Sequence, residues 1–132
     1  GFTLEGLATR VVGVNTWTRD VEGQRATIRA LAEEVLGRLA PGQGLDPGAV
    51  EIEDGQLGEG YGVPTTAMVE AVRLLARTEG VLLDPVYSGK GMAGLLAMIR
   101  RGAFDEDDDV VFVHTGGAAA LGVYTSAFTA EG

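Results

Sequence analysis

Two apolar runs limit what this 132-residue chain can fold into. Arg-Val-Val-Gly-Val-Asn at 10–15 and Val-Val-Phe-Val at 110–113 are apolar at successive rather than alternate positions. A half-exposed strand alternates, whereas a strand covered on both faces does not, so both runs read as buried strands of a parallel sheet. Parallel neighbours need crossover connections, usually helices. Helical periodicity lies between the two runs: Ile28, Leu31, Ala32, Val35, Leu36 and Leu39 form one apolar stripe, which predicts an amphipathic helix within 21–39. Met68, Ala71, Val72 and Leu75 predict a second helix over 65–78, with Pro64 before it and Gly80 ending it. Residues 92–99 are apolar all round and predict a deeply buried helix, with Arg100 and Arg101 at the negative end of its dipole. Residues 50–54 alternate like a short half-exposed strand, and 118–124 can form a closing helix. The predicted class is α/β: a mostly parallel sheet flanked by helices, three-layered and Rossmann-like, in a single domain over 1–132.

Composition narrows the partners. Ten basic against nineteen acidic side chains leave a net charge of −9, which repels phosphate backbones and anionic lipid, so nucleic acid is not an expected partner. With no Cys and one His, disulfides, zinc fingers and thiol catalysis drop out, and no metal site is expected. No run approaches the roughly twenty apolar residues of a membrane span, and the start lacks a basic segment followed by an apolar core. The expectation is a soluble, cytoplasmic protein. The acidic run 105–109 is expected to be a solvated loop, because adjacent carboxylates repel and resist burial.

In open α/β sheets, ligands bind beyond the carboxyl ends of the strands. That rule places Asn15-Thr16, the glycine-rich loop 55–62 and His114-Thr115-Gly116-Gly117 on one functional edge. A strand leading into a hydroxyl and two glycines can turn backbone N–H groups and the Thr115 hydroxyl toward a ligand, or can simply be a tight turn with a packed His114. Histidines in such places are more often structural than acid–base groups. Lys90, the one lysine, sits between glycines at a helix start, where it could hold an anion or form an imine. A phosphate-loop pattern fails there, since Asp84 stands where glycine is needed and Gly91 where Ser or Thr is needed, so a solvated loop lysine is the expectation. Tyr61 and Tyr87 adjoin glycines in loops, where a phenol can reach a ligand or merely cap the core.

Glu-Gly-Tyr-Gly-Val-Pro at 59–64, the segment 79–92 containing Asp-Pro-Val-Tyr-Ser-Gly-Lys, and His-Thr-Gly-Gly at 114–117 together go further. In this order and spacing the chain resembles the carboxyl-terminal part of the D-cysteine desulfhydrase and 1-aminocyclopropane-1-carboxylate deaminase family, pyridoxal-phosphate enzymes of fold type II similar to tryptophan synthase β. The resemblance implies the later part of a large cofactor-binding domain. Family members are more than twice as long, and their imine-forming lysine, Ser-Asn-His loop and most of the phosphate loop precede the point matching Gly1. Lys90 does not match that lysine. A truncation, a proteolytic product and one piece of a split protein all fit this pattern, with the missing half as partner and a homo-oligomer expected.

The resemblance also assigns roles. Ser88 and Thr115 are implied as pyridine-nitrogen and ring contacts, and Gly89, Gly116 and Gly117 as glycines that let the backbone approach the cofactor. Tyr61 and Tyr87 are implied as substrate-side catalytic groups. Deaminases resemble one another in having Glu and Leu at positions 88 and 115, where this chain has two small hydroxyl residues, as in desulfhydrases. A hydroxyl stabilises a protonated ring nitrogen less than a carboxylate does, giving a shallower electron sink that suits β-elimination. The expected parent activity is conversion of D-cysteine, or a related small β-substituted amino acid, to pyruvate, ammonia and sulfide. A cysteate sulfo-lyase or a cyclopropane-acid deaminase is a sibling reading, and a non-catalytic ligand- or partner-binding α/β module is the reading from a different class.

Overall fold

The longest helix begins where Asp20 caps it, its carboxylate accepting from the Gly23 amide at 2.9 Å. A computed structural model of the chain describes residues 4–129. Its elements are β1 (Val12–Val14), α1 (Val21–Leu39), β2 (Glu51–Glu53), α2 (Thr66–Thr78), α3 (Ser88–Arg100), a 3₁₀ helix (Ala118–Val123) and α4 (Thr125–Thr129). Strands β1 and β2 are neighbours in a two-stranded parallel sheet, with α1 as the crossover. The class is therefore α/β, as expected, but of the two apolar runs only the first forms a strand, and β1 is partly exposed, not buried on both faces. Among the described residues, 4–13 and 18–53 form one compact unit, and 14–17 and 54–129 form another.

In the first unit, two arginines of α1 hold the connection into β2. Arg25 donates to the Val50 carbonyl at 2.6 Å, and Arg29 to the carbonyls of Leu45, Asp46 and Pro47 at 3.1–3.2 Å. These charge-assisted bonds satisfy a loop with no ladder of its own. Of the apolar stripe, Leu36 is buried, but Leu31, Val35 and Leu39 stay at least half exposed. Periodicity sets which residues share a face; it does not supply what covers that face.

The second unit is built on α2 against α3. Met68, Ala71, Val72, Leu83, Met92 and Ala93 form its buried core, with Leu75, Leu96, Phe112, Leu121 and Phe128 packed around it. Thr65 caps α2 by accepting from the Met68 amide at 3.1 Å. Gly94 brings α3 close to Val14: a Cβ there would lie 2.7 Å from a Val14 methyl. The acidic run 105–109 is exposed.

Two expectations are corrected in this unit. Residues 110–113 are not a buried strand; they belong to no ladder, and Val111 and Val113 are 84% and 76% exposed. A strand requires a neighbour for its amides and carbonyls, and no described segment pairs with this one. Phe112 alone turns inward, onto the core. Helix α3 also starts four residues earlier than the apolar run suggests, at Ser88, because a cap lies upstream at Asp84-Pro85.

That earlier start makes Gly89 a packing residue. A Cβ on Gly89 would lie 2.6 Å from the Asp84 carbonyl oxygen, 2.8 Å from Val72 Cγ2 and 3.1 Å from Met68 Cγ. Gly89→Ala is expected to destabilise the fold by about 1–3 kcal/mol through overpacking against backbone that cannot move aside. Urea unfolding measures this as a lower midpoint, and an unchanged midpoint would show that α3 can shift away from α2.

Candidate active site

Asp84 is the polar centre of the second unit. Its side chain is buried, and both carboxylate oxygens are fully engaged. Oδ2 accepts from the amides of Val86 and Tyr87, each at 2.7 Å. Oδ1 accepts from the Ser88 amide at 2.7 Å and the Ser88 hydroxyl at 2.6 Å. The Asp84 amide in turn donates to Ser88 Oγ at 2.8 Å. Together with Pro85, which has no amide proton to satisfy, this is how an acidic residue starts a helix. Burial pushes the Asp84 carboxyl upward, but the bonds from Ser88, Tyr87 and Val86 outweigh it and hold the group below the usual aspartate range.

The same carboxylate backs the glycine turn. Gly116 and Gly117 have φ of +115° and +100°, a region closed to most side chains. A Cβ on Gly117 would lie 2.8 Å from Asp84 Oδ1, whereas one on Gly116 would meet nothing within 4 Å. The turn therefore has one face sealed against Asp84 and one face open. Thr115 stands exposed on it, and its hydroxyl makes no hydrogen bond among the described residues. His114 is structural: Nε2 can donate to the Leu82 carbonyl at 3.3 Å while Nδ1 accepts from the Gly116 amide at 3.1 Å, so one tautomer satisfies both.

An aromatic group stands beside this centre. The phenols of Tyr61 and Tyr87 share a short hydrogen bond, and their ring centroids lie 5.8 Å apart. Trp17 meets Tyr61 edge-on at 4.8 Å. Buried Asn15 sets the backbone of Trp17, donating to Asp54 Oδ1 at 3.0 Å and accepting from the Trp17 amide at 3.1 Å. The bond to Tyr87 is the largest cause that raises Tyr61 above the ordinary tyrosine value, with nearby Tyr124 and Asp84 adding to it. Tyr61 therefore keeps its proton well into the alkaline range.

The structure thus brings together Ser88, Gly117, Tyr61 and Tyr87 around Asp84, with Thr115 and Gly116 on the same turn. Gly89 goes elsewhere: its amide donates to the Asp84 carbonyl at 2.8 Å and its Cα faces Val72 and Met68, so its bareness serves helix packing, not cofactor approach. Lys90 is no solvated loop lysine. It is completely buried on α3, with Nζ donating to the carbonyls of Leu57 at 2.7 Å and Gly60 at 3.2 Å. Asp84 and Trp17 were not among the sequence candidates. The Asp-Pro pair ahead of an apolar helix is the signal for Asp84; the one tryptophan, two residues after Asn15, is the only hint of Trp17.

This arrangement suits the ring of pyridoxal phosphate: two hydroxyls, a glycine turn with one open face, and a phenol pair beside them. It does not supply an imine amine, since the one lysine is inside the core. Residues 1–116 match the family model of pyridoxal-phosphate dependent enzymes, and the chain belongs to that family. Within it, the chain is 46% identical over 114 residues to the D-cysteine desulfhydrases of Salmonella typhi and Salmonella newport, covering 86% of this chain and 34% of each relative. A crystal structure described as an ACC deaminase homologue superposes with a TM-score of 0.81 at 27% identity, covering 97% of this chain and 37% of that one. The fold is that of fold type II enzymes. The chain spans about a third of the length of the relatives it matches.

Asp84→Asn keeps the size of the side chain but places an NH₂ among donors. It is expected to cost about 2–3 kcal/mol at neutral pH. The folded-state pKa of Asp84 is depressed, so its contribution is complete above the unfolded value of about 3.9 and is lost as pH falls through the lower folded value. The stability gap between wild type and variant, read from urea unfolding across pH, should therefore close on acidification below about pH 4. A gap that persists unchanged to lower pH would contradict this role for Asp84.

Proposed function

We propose that this chain supplies the ring-facing and substrate-side part of a pyridoxal-phosphate lyase that converts D-cysteine, or a close β-substituted amino acid, with water into pyruvate, ammonia and hydrogen sulfide. The observation that carries the reading is the convergence on one buried carboxylate of Ser88 and the Thr115–Gly117 turn, beside the Tyr61–Tyr87 pair. The relatives named D-cysteine desulfhydrase support the substrate. When bound, the cofactor supplies an electron sink for a substrate's α-carbon.

The chain's own residues then divide the work. The Ser88 hydroxyl donates a hydrogen bond to Asp84 and accepts one from the Asp84 amide, so toward a ligand it can act only as an acceptor. Thr115, with no partner among the described residues, is free to donate. Gly116 leaves its open face to a flat ring. Tyr61, with its raised pKa, suits donation of a proton to a departing thiolate better than abstraction of one, and Tyr87 orients it. Removing the α-proton requires a base from outside this chain.

A cytoplasmic setting is part of this proposal; no helix among the described residues is long and apolar enough to cross a membrane. The exposed apolar residues Leu31, Val35, Val111 and Val113 fit a single large domain completed by a missing half, and a homo-oligomer thereafter. A second reading, cyclopropane-acid deamination, is favoured by the structural neighbour alone.

Alone, the chain should release no sulfide from D-cysteine and leave no cofactor on Lys90 after borohydride reduction, because the one lysine is buried. Labelling of wild type that disappears in Lys90→Ala would overturn this. In the complete enzyme, Ser88→Glu with Thr115→Leu should slow sulfide release and raise 2-oxobutyrate formation from the cyclopropane acid. The double variant should differ from the sum of the singles, because both positions face one ring. Unchanged elimination kinetics would remove both residues from the ring site.

A further inference from the structure

Lys90 is completely buried in the second unit. A buried ammonium needs compensation, yet no carboxylate lies within ion-pair reach of it among the described residues. Two backbone carbonyls compensate it, those of Leu57 and Gly60. Both belong to the glycine-rich loop that precedes α2, and Gly60 is the residue just before Tyr61. Within that loop Leu57 is buried, the Gly60 carbonyl also accepts from the Val63 amide at 3.2 Å, and Gly58 and Gly62 sit at positive φ. Lys90 itself stands one helical turn beyond Tyr87. The two ends of the phenol pair are therefore mounted on one helix turn, Tyr87 directly and Tyr61 through the ammonium.

We infer that Lys90 is a positioning residue: its buried ammonium clamps the 57–60 carbonyls to α3 and thereby sets the Tyr61 phenol against Tyr87. A solvated surface lysine would keep its side-chain entropy and its water. Placing the ammonium in the core is favourable here only if the carbonyls stay where they are, which ties the order of the loop to Lys90. Burial favours loss of the proton from Lys90, and the two accepting carbonyls oppose that loss. The catalytic consequence rests on the reading of Tyr61 as a substrate-side group; the clamp itself does not.

The test uses the chain as it purifies, with its complementary half if one copurifies, and needs neither cofactor nor turnover. Because Lys90 is the one lysine, ¹⁵N-lysine labelling gives a single side-chain ammonium signal. The clamp predicts a slowly exchanging ammonium with couplings to two carbonyl carbons. An ammonium exchanging as fast as free lysine overturns it, whatever any variant does. In Lys90→Met, amide exchange over 60–63 should rise by at least about tenfold while that of α2 is little changed. Tyr61, which its bond to Tyr87 holds above the ordinary tyrosine value, should also return toward it. Loosening spread equally over α2 and α3, or an unaltered tyrosine titration in a folded variant, would make Lys90 a core residue only. If Lys90→Met does not fold, the ammonium signal of the wild type decides. In the assembled enzyme the same variant should lower kcat by about 10–100-fold with little change in KM. Sulfide release by the wild type tests the lyase reading separately.

Discussion

A carboxylate with no water around it must be satisfied by the protein or give up its charge. Asp84 is satisfied four times over, and each bond that satisfies it also places something. The amides of Val86, Tyr87 and Ser88 are the free donors of a helix start, so α3 begins here and not at Met92. The Ser88 hydroxyl is oriented by the same oxygen. Gly117 lies against that oxygen too closely for any side chain, which fixes where the chain turns after residue 113. One buried charge thus joins a helix start, a hydroxyl and a glycine turn.

The second hold has the opposite sign. Lys90 meets carbonyls where Asp84 meets amides, and both stand at the start of α3. Between them they account for how a loop of glycines can present a phenol in a defined place. Asn15 does a smaller version of this for Trp17, with Asp54 as its anchor. Polar groups of this kind are demanding, because a network only partly satisfied is worse than an apolar core. Here they lie beside Ser88, Tyr61 and Tyr87, the residues proposed to face a ligand.

The sequence told most where neighbours matter least. Helix α1 follows from its apolar stripe, α2 from its stripe between Pro64 and Gly80, and the α/β class from these helices alternating with the run at 10–15. It told less where a distant partner decides. Lys90 reads as solvated because nothing adjacent in sequence could pair it; its partners lie 30 and 33 residues away. The resemblance makes Gly89 cofactor-facing, yet Val72, Met68 and the Asp84 carbonyl account for its bareness. The strand expected at 110–113 has the right residues and no neighbour to pair with. For the candidate site, Ser88, Thr115, Tyr61 and Tyr87 came from motif resemblance, while Asp84, which holds that site together, would have come from reading Asp-Pro as a cap.

Lys90, the one lysine, is buried and bonded to two carbonyls. The roles proposed for Ser88, Thr115 and Tyr61 therefore call for a complement that brings the imine-forming amine and the base for the α-proton. The chain's uncovered apolar surface at Val111, Val113 and along α1 is the kind a folded complement would bury. The most direct measurement mixes the chain with a separately produced segment supplying the other two-thirds of a D-cysteine desulfhydrase, adds pyridoxal phosphate, and follows sulfide from D-cysteine. Each part alone should be silent, and the mixture should release sulfide in proportion to the complex formed. A stable complex that takes up the cofactor and releases no sulfide from D-cysteine would contradict the assignment.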